Sequence, residues 1–190
     1  EYIARKDRDE VFATSLVRMI PASGDARIGP ALRETLKDPS PLVRAAAADG
    51  LQHVPAGESR AALLTATRDP YRLVRIRAVA SLVVQGSLPA EGADRASVQP
   101  ALDEYLTSIL ARPDQWSSHY NLGNAYLSMG DPRKAIASYD TALKIEPRAV
   151  LALVNESMAY AQLKETKKAD ETLQKALKIA PSNAAANFNM

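Results

Sequence analysis

Cysteine is absent from the 190 residues and histidine nearly so, with two. Without cysteine this segment has no disulfide frame, no zinc–thiolate site and no covalent haem attachment. His53 and His119 lie 66 residues apart with no second histidine near either, which argues against a histidine-rich metal centre. Eight glycines are scattered and form no phosphate-cradling loop. The balance of 24 Lys and Arg against 22 Asp and Glu leaves a net charge of +2, too even to announce nucleic acid or an anionic membrane. No run of about 18 apolar residues reads as a membrane span. Aromatics are few, ten in all, whereas the sequence holds 34 Ala and 21 Leu. Ala and Leu are strong helix formers, and strands favour the β-branched and aromatic residues. The composition therefore points to closely packed helices.

The sequence opens at Glu1 without an initiator Met or a secretory leader pattern, and it stops at Met190 inside a helix expected to start near Asn183. We therefore expect it to be part of a longer protein.

Internal repetition carries most of the remaining information. In the C-terminal half the chain matches itself at a shift of 34: Pro113, Pro147 and Pro181; Ala101, Ala135 and Ala169; Tyr105, Tyr139 and Leu173. Residues 116–147 and 150–181 share ten identities in 32 positions, among them Tyr126/Tyr160 and Lys134/Lys168. Small residues at Gly123, Ala135 and Ala142 let helices approach, with Tyr126 and Tyr139 filling the space beside them. Asp131-Pro132 reads as a helix cap followed by proline in the first turn. The N-terminal half repeats at 31 instead. Asp38-Pro39 and Asp69-Pro70 are each followed by Leu-Val-Arg, and 31–51 matches 62–82 at nine of 21 positions. A degenerate earlier copy runs through Asp7, Val11, Phe12, Leu16 and Ile20. Here Asp is expected to cap the second helix of each unit. Leu, Val and Ala at i, i+1, i+5 and i+9 are expected to form its buried stripe.

The 34-residue unit resembles the tetratricopeptide repeat, with Leu122, Gly123 and Tyr126 on its first helix, Ala135, Tyr139 and Pro147 on its second, and His119 where that family usually has Trp. The following unit departs from the pattern at Glu156 and Ser157, in place of Leu-Gly, but keeps Tyr160, Ala169, Leu173 and Pro181. The 31-residue unit resembles the HEAT repeat. The resemblance implies an all-α fold, an α–α superhelical solenoid in which a HEAT-like array continues into tetratricopeptide repeats. We read residues 1–90 as HEAT-like, 91–114 as a connecting half-repeat helix, and 115–190 as two full tetratricopeptide repeats and a truncated third. The connecting helix is expected from about Ser97 to Ala111, after a seam from Gln85 to Asp94. It is expected to join both arrays into one right-handed solenoid, the competing picture being two arrays on a flexible linker.

No constellation for catalysis is present, so the segment is read as non-enzymatic and without a cofactor of its own. His53 and His119 are read as structural. The basic cluster Arg72, Arg75 and Arg77 is offset in residues 1–90 by a surplus of only three cations, 13 against 10, which argues against nucleic acid. Arg75 repeats Arg44, and both are expected to bond a turn Asp or a helix end in the neighbouring repeat.

Candidate binding residues sit on the first helices of the tetratricopeptide units, which in that family face the concave groove. Asn121, Asn155 and Asn189 recur at 34. An Asn amide accepts from a peptide N–H and donates to a peptide C=O, so a ladder of them suits an extended backbone. The series resembles the peptide-holding groove of the O-linked N-acetylglucosamine transferase solenoid; the plain alternative is repeat consensus. Neighbouring positions give a polar strip of Ser117, Tyr120, Asn124 and Ser128, then an apolar strip of Leu151, Val154 and Met158, unless further repeats cover the latter. The carboxylate clamp of the family is not expected, because Tyr120, Ala185 and Asn189 stand where its Lys and Arg belong. The resemblance thus implies a scaffold that binds a protein or peptide partner. The unfinished helix of Ala184, Ala185, Ala186, Phe188 and Met190 is expected to self-associate. The order of repeats also resembles the C-terminal region of exported bacterial multihaem cytochrome c proteins. That resemblance implies a periplasmic or exported arm positioning a redox partner, as against a cytoplasmic scaffold.

Overall fold

The computed structural model describes residues 2–5, 7–23 and 25–189. Every regular element among them is helical, and the chain divides into two compact units, Glu1–Tyr105 and Leu106–Met190. Each is an α–α solenoid of stacked helix pairs.

The first unit holds α1 (Glu10–Met19), α2 (Ile28–Thr35), α3 (Pro41–Gly50), α4 (Ala56–Ala66) and α5 (Arg72–Val84). Helix α3 packs on α1, α2 and α5, and Ala45, Ala46, Ala47 and Ala48 are all buried there. Four consecutive small side chains are what a helix surrounded on several sides requires. Val43, Ala47 and Leu51, and their equivalents Val74, Ala78 and Leu82, are fully buried. The first position of the expected stripe is not: Leu42 and Leu73 are 41% and 42% exposed, and Val11 is 69%. Positions i and i+1 lie 100° apart on a helix, and only the second stays in line with i+5 and i+9.

Capping in this unit also differs from expectation. Helix α3 begins at Pro41 and α5 at Arg72, so Asp38 and Asp69 stand too early to cap them. Each carboxylate instead accepts from the backbone N–H two residues on, Ser40 at 2.9 Å and Tyr71 at 2.8 Å, closing the turn. Each is also gripped by an arginine from the preceding repeat. Arg44 makes a two-pronged pair with Asp69 at 2.8 and 3.1 Å while donating to the Asp38 and Pro39 carbonyls. Arg75 repeats the device, bonding the Asp69 and Pro70 carbonyls and pairing with Glu104. Arg8 pairs with Asp38. Arg77 pairs with Asp49 at 3.5 Å. Of the basic cluster, Arg75 is thereby held within the fold, while Arg77 forms an exposed pair. Burial alone raises the Asp69 carboxyl, but hydrogen bonds from Arg44 and the Tyr71 N–H overcome this and hold it below the usual range.

Helix α6 (Gly92–Ile109) starts five residues before the expected Ser97 and carries Pro100 within it. Pro100 is exposed, so its ring faces solvent, and Val98, Ala101 and Leu102 are buried on the other side. The division between units falls within this helix, after Tyr105.

The second unit contains α7 (Trp116–Ser128), α8 (Pro132–Ile145), α9 (Val150–Gln162), α10 (Thr166–Ile179) and α11 (Ala184–Asn189). Consecutive helices pack as antiparallel neighbours. Asp131 caps α8 through the Lys134 N–H, with Pro132 in the first turn, as the sequence implies. Lys134 lies over Tyr126 and Lys168 over Tyr160, at 5.5 and 5.4 Å, so one cation–π contact recurs in both repeats. After α7 the chain turns through Gly130 at φ 75°, a left-handed conformation that costs glycine little; the equivalent Lys164 adopts φ 61° and carries the strain of a side chain there. At Gly123 the reason for glycine is space. A Cβ would sit 2.4 Å from the Tyr139 ring, so α7 can approach the second helix only without one.

Two outcomes follow for stability. Arg44→Ala leaves the Asp69 carboxylate with only the Tyr71 N–H and removes the arginine donor from two turn carbonyls. It should destabilise the first unit by about 2–4 kcal/mol, read as lost amide-exchange protection in α3 and α5. Because the Asp69 carboxyl is lowered in the fold, the contribution is complete above the ordinary Asp range near pH 4 and fades as pH falls through the lowered value, so the variant should lose its wild-type deficit in acid. Gly123→Ala gains about 1 kcal/mol of helix propensity, yet must displace a fully buried ring, a strain of about 1–3 kcal/mol. The net effect should be a lower unfolding midpoint by the fluorescence of Trp116, the single tryptophan, which lies in this unit.

Candidate functional site

The close approach at Gly123 sets the site. Tyr139 projects from α8 with no exposed surface, its ring against Gly123, and its hydroxyl donates to Asn124 Oδ1 at 2.8 Å. Burial, reinforced by Tyr120, raises the Tyr139 hydroxyl far above its ordinary value, so it remains a protonated donor. Asn155, on α9, donates from Nδ2 to the same Asn124 oxygen at 2.8 Å and to the Tyr120 hydroxyl at 3.2 Å. The Tyr120 ring stands 6.2 Å from that of Tyr139 and 5.9 Å from Trp116.

This network fixes both amides. Asn124 Oδ1 takes two donors, which turns its Nδ2 outward; Asn155 commits its Nδ2 and leaves its Oδ1. Neither remaining atom has a hydrogen-bond partner among the described residues, and both side chains are half-buried. One oriented donor and one oriented acceptor thus stand beside each other on α7 and α9.

The structure brings Tyr120, Asn124 and Asn155 together, but not the evenly spaced ladder. Asn121 and Asn189 are exposed, and neither side chain makes a hydrogen bond among the described residues. Tyr139, read from sequence only as a packing residue, is the element that orients Asn124. Leu151 and Met158 are 51% and 43% exposed and flank Asn155 along α9. Val154 does not belong with them: it is 3% exposed and packs in a core cluster with Leu173, Ala176 and Ala186, because α11 covers that side of α9. Within α11, Ala186 is buried and Phe188 is 89% exposed, while Met190 lies outside the described residues.

His119 Nε2 bonds the Pro113 carbonyl at 2.8 Å and secures the turn before α7. His53, exposed after α3, borders a cavity of about 460 Å³ with Arg18, Asp49 and Ala46. Among the described residues no cluster of three or more metal-ligating side chains occurs, and no helix is long and apolar enough to cross a membrane.

Comparison with known proteins agrees with this architecture. The family model of HEAT repeats matches residues 2–83, and tetratricopeptide repeat models match residues 116–148 and 151–183. No curated protein matches the chain. Among solved structures, one described as the crystal structure of MamA protein is similar in fold, with a TM-score of 0.50 and 20% identity over 90% of this chain and 93% of that one. The chain thus carries HEAT repeats followed by two tetratricopeptide repeats.

Proposed function

We propose that the chain is a protein–protein interaction scaffold whose tetratricopeptide unit holds an extended segment of a partner. The observation that carries this reading is the pair of oriented, unused amide atoms, Asn124 Nδ2 and Asn155 Oδ1. In an extended chain, the N–H and C=O of one residue point the same way. Such a residue matches a neighbouring acceptor and donor without regard to its side chain. Both amides are held in place by Tyr139 and Tyr120, so little ordering is left for the moment of binding. Specificity then falls to what surrounds the pair. Ser117 and Tyr120 lie towards the start of α7, and exposed Leu151 and Met158 lie along α9. The segment that fits best has a polar portion over α7 and an apolar portion over α9, where the unbranched Met158 adapts to different side chains.

The repeats themselves support a scaffold rather than a catalyst, since tetratricopeptide and HEAT units present surfaces for partners. A nucleic-acid reading gains nothing from the structure, because Arg44 and Arg75 are already paired with carboxylates.

A peptide selected on the full chain from a random display library tests the groove. Replacing the exposed Leu151 and Met158 by Ser should weaken capture about tenfold, with the Trp116 unfolding midpoint unchanged. Asn155→Ala should weaken it at least as much, together with a modest loss of stability from the broken Tyr120 and Asn124 bonds. Capture unaffected by both variants overturns the groove assignment.

A further inference from the structure

The second tetratricopeptide repeat places an acid where the first has a leucine. Leu122 and Glu156 are equivalent positions 34 residues apart on α7 and α9, and both are buried, at 9% and 5% exposed. A carboxylate withdrawn so far from water is costly unless it is paired or keeps its proton. Its surroundings decide which. Helix α8 contributes Asp140 and Lys144, and α10 contributes Lys175. With Leu143 and Leu153 these groups and Glu156 line one cavity of about 320 Å³. Asp140 faces Glu156 across this cavity as the like charge, and Lys175 supplies the opposing positive charge. Tyr160, one turn along α9, has its hydroxyl raised by burial and then by the charges of Glu156 and Asp140. The two other helices that touch α9, α7 and α11, contain no Asp, Glu, Lys or Arg. The charged groups facing Glu156 are therefore one acid and Lys175, with Lys144 at the cavity wall.

We propose that Glu156 keeps its proton beside the Asp140 carboxylate, and that this makes the second tetratricopeptide repeat a pH-sensitive element, tightly packed while the proton is held and loosened when it leaves. Two carboxyl groups lining one cavity, one of them buried, repel each other when both are ionised, and Lys175, the lysine that acts on Glu156, only partly offsets this. With the proton present, the Glu156 carboxyl is neutral and can donate to Asp140, and no buried carboxylate charge stands on α9. With it gone, the added charge lies between α8, α9 and α10, the three helices that form the body of the repeat.

The direction with pH is fixed by the same groups. Burial first, then the charge and hydrogen bond of Asp140, push the Glu156 carboxyl up to about 7 against the lowering effect of Lys175. An unfolded Glu releases its proton near pH 4.3, roughly. The folded state therefore binds the extra proton between those values, and its stabilisation is complete below the lower one and lost as pH rises through neutrality. This is opposite in sense to Asp69 and Glu104, whose carboxyls arginine partners hold down. The inference does not rest on the groove reading, since it is measured as stability and titration.

Unfolding of the full chain, followed by Trp116 fluorescence at pH 5 and pH 8, tests it. The wild-type midpoint should fall over this interval by about 5 °C or more relative to Glu156→Gln, the neutral isostere of the protonated acid. Side-chain carbon NMR of the wild-type protein should show the Glu156 carboxyl titrating near neutrality. In Asp140→Asn that titration should move to lower pH without reaching the ordinary range, because burial remains. A Glu156 carboxyl that titrates in the ordinary range overturns the proposal even if the glutamine variant does not fold. Wild-type and Glu156→Gln midpoints that change in parallel between the two pH values overturn it independently.

Discussion

The tetratricopeptide unit depends on a single contact, the face of Gly123 against the Tyr139 ring. A side chain as small as a methyl group at residue 123 would overlap the ring, so the glycine sets how near α7 and α8 lie. That distance places the Tyr139 hydroxyl at Asn124, and Asn124 in turn receives Asn155 from the next repeat. One steric condition thus becomes the orientation of two amides on different helices. The candidate binding face is rigid because its polar groups are fastened to a buried ring rather than to one another across water.

The HEAT unit reaches a similar end with charge. Its Asp-Pro turns are short loops whose carbonyls have no helical partners, and each conserves order through an arginine that bonds them and a carboxylate together. Arg44 joins one repeat to the next through Asp69, and Arg75 does so through Glu104 on α6. These side chains are shielded from solvent, which is why they outweigh the exposed pairs such as Arg5–Asp7. The same shielding takes Arg75 out of the basic-looking stretch of sequence.

Departures from the repeat pattern are informative in both directions. Lys164 occupies the left-handed turn position that Gly130 fills in the preceding repeat, and Glu156 stands at a buried leucine site. The first is a local strain at the surface. The second places an ionisable group among packed helices, where its protonation state and the packing become one variable.

The sequence by itself determined the helical class, the two periods of 31 and 34, and the capping at Asp131, because each rests on local spacing and propensity. It also marked Gly123 and Tyr139 as packing residues and assigned Arg44 to a turn Asp of the neighbouring repeat, whereas Arg75, expected to do the same, meets Glu104 within α6. Periodicity cannot say which side of a helix meets a neighbour that comes later in the chain. Leu42 and Val43 look alike in sequence, yet one is exposed and the other buried. Val154 reads as a groove residue until α11 covers it. Asn121 and Asn155 are the same repeat position, but only Asn155 meets Asn124 and Tyr120. Hydrogen bonds of this kind, and the burial of Glu156 beside Asp140, depend on side chains 16 to 35 residues apart arriving at one place, and only the tertiary packing of α7 to α10 decides that.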